Sequence, residues 1–350
     1  MPRDVTPTLV LLLASAVSLA LAAVVAPEGF SRRALLTRGL TGLAALAVIA
    51  VVPSLDVMIL VLLAIAVLHA GLEGTRDFSL HLRGPVVAVA LMALALVFIR
   101  VQGPELLDRF AAVGLVAGIS AAVGLLPYVH RLEPEGRAVE PPFMWLGFVG
   151  PVLATAVLLR SREYLPAQAG GYFGSMLIGL GLLNILWGTL AAWKTDRGDA
   201  AWQYSFMADW GLALCGFGIT IADGQSAALL ILLGIVLGRF PLMLASRAPT
   251  AGVEGDPPVN LLLAAMLAGA APFAGFAARV LLLRGAAQSY WPLAVVLAIG
   301  MLLWLPASLR LGRSLGRQRG RRAFALGVVL AINAVVGLYP LPLLSLAGLL

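Results

Sequence analysis

Three charged side chains interrupt otherwise apolar runs: Asp209, Arg239 and Arg279. Asp209 stands between Met207-Ala208 and Trp210-Gly211. Arg239 follows Leu237-Gly238, two residues before Pro241. Arg279 ends the small-residue run that begins at Gly269. A charge at the centre of a membrane-spanning helix costs on the order of 3 kcal/mol or more. Each of the three is therefore expected to face protein or a wet cavity. A carboxylate there can take up and release a proton. A guanidinium keeps its proton, so it can fix charge, hold water or bind an anion. Other roles stay open. Both arginines could snorkel to the interface. Asp209 is read as lying in the first turns of its helix, where it could serve the positive end of the helix dipole. His69 and His81 fall near helix ends and His130 falls in a loop, at spacings unlike a metal site. Cys215 is the one cysteine, so no disulfide, zinc or iron–sulfur set can be built from thiols. No Walker loop, dinucleotide fingerprint, nucleophile elbow or metal-binding histidine pair occurs.

The elements that must hold these residues are membrane helices. Of 350 residues, 61% are hydrophobic and 12% charged, and the mean hydropathy is +0.99. Too few polar side chains exist to coat a water-soluble surface of this size. That excludes a soluble enzyme, a disordered chain and a nucleic-acid-binding module. The net charge of +7 is carried in short loops, where it orients a membrane protein. Among the 24 basic residues Lys194 is the sole lysine, and all the rest are arginine. A genome rich in G and C would produce that bias without a functional reason.

Runs of about 20 apolar residues mark twelve candidate spans. They lie near 8–26, 35–52, 54–72, 83–101, 106–127, 142–160, 172–193, 204–222, 225–246, 257–284, 287–309 and 323–347. The fold class expected is an all-α, polytopic membrane protein forming a single transmembrane domain over 1–350. The tenth run is too long for a perpendicular crossing, and Gly269 and Pro272 predict a tilted or broken helix there. Pro85, Pro151, Pro241 and Pro306 predict further bends. No cleavage site follows the first run, which reads as a retained helix. Arginines concentrate in the loops after odd-numbered spans, most of all over Arg310–Arg322. This places both termini outside a bacterial-type inner membrane and that cluster in the cytoplasm, where it also attracts anionic lipid. No internal repeat is visible in the sequence.

The order of local patterns resembles a known family. Gly124-Leu125-Leu126-Pro127-Tyr128, then Leu132-Glu133-Pro134 and Glu140-Pro141-Pro142-Phe143, is similar to a loop written P-F-H-x-W-L-P followed by A-P-T-P-V. Gly188, Thr195-Asp196, Tyr204-Ser205 and Gly211 follow in family order. So do Ala227-Ala228, Arg239 with Leu242–Ser246, the run from Gly269 through Pro272 to Arg279, and Gly337-Leu338-Tyr339-Pro340-Leu341-Pro342. Together they resemble the antiporter-like membrane subunits of respiratory complex I, nearest to the bacterial subunit N. Relatives occur in Mrp antiporters and membrane-bound hydrogenases. The matches cover about 124–344, with N-terminal helices over 1–53 and an antiporter-like core over 54–347. The family usually has fourteen helices, so the resemblance implies a member shortened at its N-terminus.

The resemblance implies a subunit that takes part in, or structurally supports, proton translocation coupled to electron transfer on other chains. Quinone, NADH, flavin and iron–sulfur clusters would then belong to partner subunits, with no cofactor on this chain. The partners implied are other membrane subunits and lipids, with no nucleic acid. A non-pumping scaffold, an antiporter subunit, a hydrogenase subunit and an unrelated solute transporter are the alternatives. The buried-charge or proton-pathway candidates are Arg239, Arg279, Asp209, Lys194 and Asp196. The family's mid-membrane row is altered. Its glutamate falls near Ile65-Ala66, one lysine near Gly150-Pro151, two histidines at Ile231 and Ile235, and two lysines at Arg239 and Arg279. Lysine can be shifted toward neutrality by burial and pass a proton, whereas arginine is a poor relay.

Overall fold

The computed structural model describes residues 5–27, 31–52, 54–72, 78–101, 105–129, 148–161, 165, 167–247 and 258–349. His130 and the patterns over 132–134 and 140–143 lie outside these residues. All described regular elements are helical. They are α1 (Val5–Val25), α2 (Arg32–Val51), α3 (Leu55–Leu72), α4 (Phe78–Val101), α5 (Glu105–Val123), α6 (Gly150–Ser161), α7 (Ala167–Lys194) and α8 (Gly198–Gly218). Then follow α9 (Ala222–Gly234), a π-helical turn (Ile235–Arg239), α10 (Phe240–Ser246), α11 (Pro258–Leu267), α12 (Ala274–Leu303), α13 (Leu305–Ser314), α14 (Arg321–Leu338) and α15 (Leu341–Leu346).

Among the described residues, eight stretches are long and apolar enough to cross a membrane. Three of the other expected spans appear as shorter apolar helices, α3, α6 and α11. The eighth expected span is α8, which carries Asp199 and Asp209. It starts at Gly198 rather than near 204, because Asp199, Gln203 and Tyr204 hide its first turns in a hydropathy reading. The expected boundary between 284 and 287 is also displaced. Helix α12 runs through it and kinks at Tyr290, just before Pro292. The kink exposes Tyr290 and Trp291, aromatics suited to a membrane–water interface.

The chain forms two compact units, Met1–Leu13 with Arg33–Leu177, and Ala14–Arg32 with Ile178–Leu350. In the first, α4 and α5 pack closely because Gly114 and Gly118 leave no side chain between them. A Cβ at either glycine would lie 3.0 Å from a carbonyl of α4, Leu91 or Ala88. Arg160, near the end of α6, donates to the Ile49 carbonyl at 3.0 Å and also to Val52. It thus satisfies carbonyls that the end of α2 leaves open.

The second unit is built around α9, the π turn and α10. This stretch, Ala222–Ser246, is 94% buried, whereas Arg321–Leu338 is 22% buried. The difference makes the former the central helix and α14 a peripheral one. Glycines again set the spacing around it. A Cβ at Gly181 of α7 would lie 2.6 Å from the Gly211 carbonyl of α8, and one at Gly188 would lie 2.7 Å from the Ala208 nitrogen. These two contacts bracket Asp209. Glycines at crossings of this kind let membrane helices approach closely.

The expected break at Gly269 and Pro272 is present. Helix α11 stops at Leu267, the chain turns, and α12 begins at Ala274. Gly269 has φ +66° and the Ala271–Pro272 peptide is cis. The first unit holds the same device after α5, with Gly124 at φ +80° and a cis Leu126–Pro127 peptide. The hydrogen bonds agree in register. Leu125 N donates to Ser120 O as Ala270 N does to Ala265 O, and Tyr128 N donates to Leu125 O as Phe273 N does to Ala270 O. An internal repeat is therefore present in backbone geometry. Side-chain divergence hides it in the sequence.

Candidate functional site

Pro241 explains how Arg239 is aimed. Around Ile235–Arg239 the helix widens to i→i−5 bonding, seen where Phe240 N donates to Ile235 O. The next bond would run from residue 241 to Val236, but proline has no N–H. The Ser18 hydroxyl of α1 takes that carbonyl instead, at 2.5 Å. π turns of this kind concentrate at functional sites. This one turns Arg239 into the interior of the second unit, where it is 3% exposed. It does not snorkel.

Each nitrogen of the Arg239 guanidinium is engaged. Nε pairs with the Asp209 carboxylate. Nη1 donates to Ser205 Oγ at 3.2 Å and Nη2 to the Leu267 carbonyl at 3.3 Å. The indole of Trp304 lies against it, 5.0 Å from ring centroid to Cζ. Trp304 Nε1 donates to the same Leu267 carbonyl at 3.0 Å. Leu267 is the last residue of α11, so the helix break supplies an orphan carbonyl to hold the cation. Asp209 sits mid-way along α8, not in its first turns, so dipole capping is not its role.

Arg279 lies one and a half turns into α12 and is half-buried. Its guanidinium stem covers Gly269: a Cβ there would come within 2.5 Å of Nε. Arg239, Asp209 and Arg279 together line a cavity of about 40 Å³, with Asn333 and apolar side chains completing the wall. Asn333 donates to Val329 O at 2.9 Å. Ile231 lines the same cavity, and Ile235 is buried nearby in the π turn.

Lys194 and Asp196 do not join this group. Lys194 is exposed at the end of α7, and Asp196 is exposed in the connection to α8. In the first unit, Ala66 is buried within α3, and Pro151 opens α6 as a buried second residue. Neither position offers a titratable side chain. Sequence reasoning missed Ser205, Trp304, Ser18 and Arg160. Ser205 stands four residues before Asp209, the spacing that puts two side chains on one helical face. Trp304 is signalled only by the Pro306 that follows it. Ser18 and Arg160 carry no local signal.

Elsewhere, other charged side chains pair. Arg284 of α12 pairs with Asp223 at the start of α9. Arg109 bonds Glu105 at 2.8 Å and the Tyr172 hydroxyl at 2.9 Å. No group of three metal-ligating side chains forms among the described residues.

No family model matches the chain. NADH-quinone oxidoreductase subunit N of Ectopseudomonas mendocina is 28% identical over 282 residues, 70% of this chain and 56% of that protein. NADH-quinone oxidoreductase subunit M of Mycobacterium tuberculosis is 22% identical over 262 residues, 67% of this chain and 47% of that protein. The chain spans about half the length of the curated relatives it matches. A chain of respiratory complex I from Thermus thermophilus with bound NADH superposes with a TM-score of 0.78 at 16% identity, covering 98% of this chain and 83% of that one. A chain of the Mrp complex from a Dietzia strain gives 0.74 at 15% identity, covering 97% and 44%.

Proposed function

Since the chain has the fold of the antiporter-like membrane subunits of complex I, we propose that it is a membrane-embedded subunit of a complex I-like assembly. Electron transfer takes place on other subunits, which carry the redox cofactors. This chain supports proton translocation structurally and does not relay protons through its own charged core. The observation that carries the reading is the coordination of Arg239 by Asp209, Ser205, the Leu267 carbonyl and Trp304. A relay needs groups that change protonation in turn. Here the cation keeps its proton, its carboxylate is held in an ion pair, and Ile231 and Ile235 stand where the family's histidines fall.

The whole chain acts as one transmembrane domain, with both termini outside and the Arg310–Arg322 segment in the cytoplasm of a bacterial-type cell. The arginine distribution supports this orientation. Copurification from native membranes in mild detergent, followed by mass spectrometry, tests the reading. It expects several membrane subunits together with chains that bind flavin or iron–sulfur clusters. Isolation as a stable single species with solute-dependent transport would contradict it.

A further inference from the structure

The cavity beside Asp209 contains more positive than negative charge. Two arginines and one carboxylate line it. Asp209 is paired with Arg239, which also donates to Ser205 and to the Leu267 carbonyl. Among the described residues no carboxylate is paired with Arg279, and Asn333 donates one N–H to a backbone carbonyl. Arg279 lies on a helix long and apolar enough to cross a membrane. There, an unbalanced cation costs several kcal/mol unless a counter-charge or water meets it. Lysine could answer that cost by shedding its proton, but arginine cannot. Among the described residues none supplies that counter-charge.

The cavity sets its size. One water needs about 10–15 Å³ of such space. A cavity of about 40 Å³ thus has room for a monatomic ion with a water or two. Gly269 and Gly275 form part of the wall, so backbone as well as the guanidinium faces the space. The first turn of α12 brings its positive end to the same side.

We propose that this cavity binds a small monovalent inorganic anion of the halide type, with Arg279 as its principal ligand. The site does not depend on whether the chain conducts protons or belongs to a complex I-like assembly. Its role is to neutralise Arg279, so that the second unit folds with a balanced core.

Thermal unfolding of the purified, detergent-solubilised protein with its native partners tests the site. Potassium chloride, bromide and gluconate are compared at constant ionic strength. Chloride and bromide should raise the unfolding midpoint with a saturable dose dependence, and gluconate, far bulkier than a halide, should not. Arg279→Gln should abolish the halide effect, and Arg279→Lys should retain part of it. Crystals grown from bromide provide a readout that needs no variant, with an anomalous peak expected beside the Arg279 guanidinium. An equal response to gluconate, a halide response that survives Arg279→Gln, or no bromide peak at that position would overturn the proposal.

Discussion

At the scale of single residues, an arginine rather than a lysine at position 239 is the central fact. Arg239 uses separate nitrogens for a carboxylate, a hydroxyl and a carbonyl, and its flat face for an indole. A lysine ammonium, with donors at one point, cannot reach all four. Removing one member of a buried ion pair leaves the other uncompensated and costs about 3–5 kcal/mol, whereas replacing both by apolar groups of similar size is often neutral. Asp209→Asn should therefore lower thermal stability sharply. Asp209→Leu combined with Arg239→Met should melt close to the parent protein. A double-mutant cycle by thermal melting measures the coupling, and additive losses would argue against it. Ser18→Ala removes the donor to Val236 O and should cost about 1 kcal/mol. Ser18→Thr keeps the hydroxyl and serves as the control in the same melts.

At the scale of elements, the breaks matter more than the helices. Pro241 removes one N–H and with it fixes the direction of Arg239. Gly269 permits a backbone turn at positive φ and leaves room for Arg279. Gly269→Ala is doubly disfavoured, because it forces a side chain into the left-handed region and into the guanidinium. It should displace Arg279 and weaken the halide stabilisation more than it lowers the unfolding midpoint in gluconate. Gly337 of α14 packs directly on Pro272 and Phe273, so Gly337→Leu should loosen the same break. Faster hydrogen exchange over 268–273 would report that loosening.

The sequence made some of this legible and hid the rest. Pro272 and Gly269 marked their break because no residue pair terminates a helix more strongly. The kink at Tyr290 escaped, because flanking apolar residues continue the hydropathy pattern through it. The buried positions of Asp209 and Arg239 were visible as charges in apolar runs. Their pairing was not, since it joins α8 to a π turn across a chain segment that gives no local hint. Lys194 and Asp196 looked equally suggestive but lie at an exposed helix end. Proximity in sequence to a family pattern did not bring them to the site.

At the scale of the whole molecule, two units carry the same break and different charges. The second unit holds the Asp209–Arg239 pair and Arg279, while Ala66 and Pro151 in the first are buried and carry no titratable group. Orientation is testable at this scale. Cys215 is the sole thiol and is buried, so an added cysteine can be labelled selectively. Arg317→Cys should react with a membrane-impermeant maleimide in inverted vesicles and stay unlabelled in intact cells, and the opposite pattern would reverse the proposed topology.

The most direct test is the ratio of protons moved to electrons transferred by the purified assembly in liposomes. The Asp209→Leu/Arg239→Met variant is compared with the parent protein after intact assembly has been verified. A supporting, non-relaying subunit predicts an unchanged ratio. A ratio that falls while assembly and electron transfer stay intact would show that protons pass through this pair.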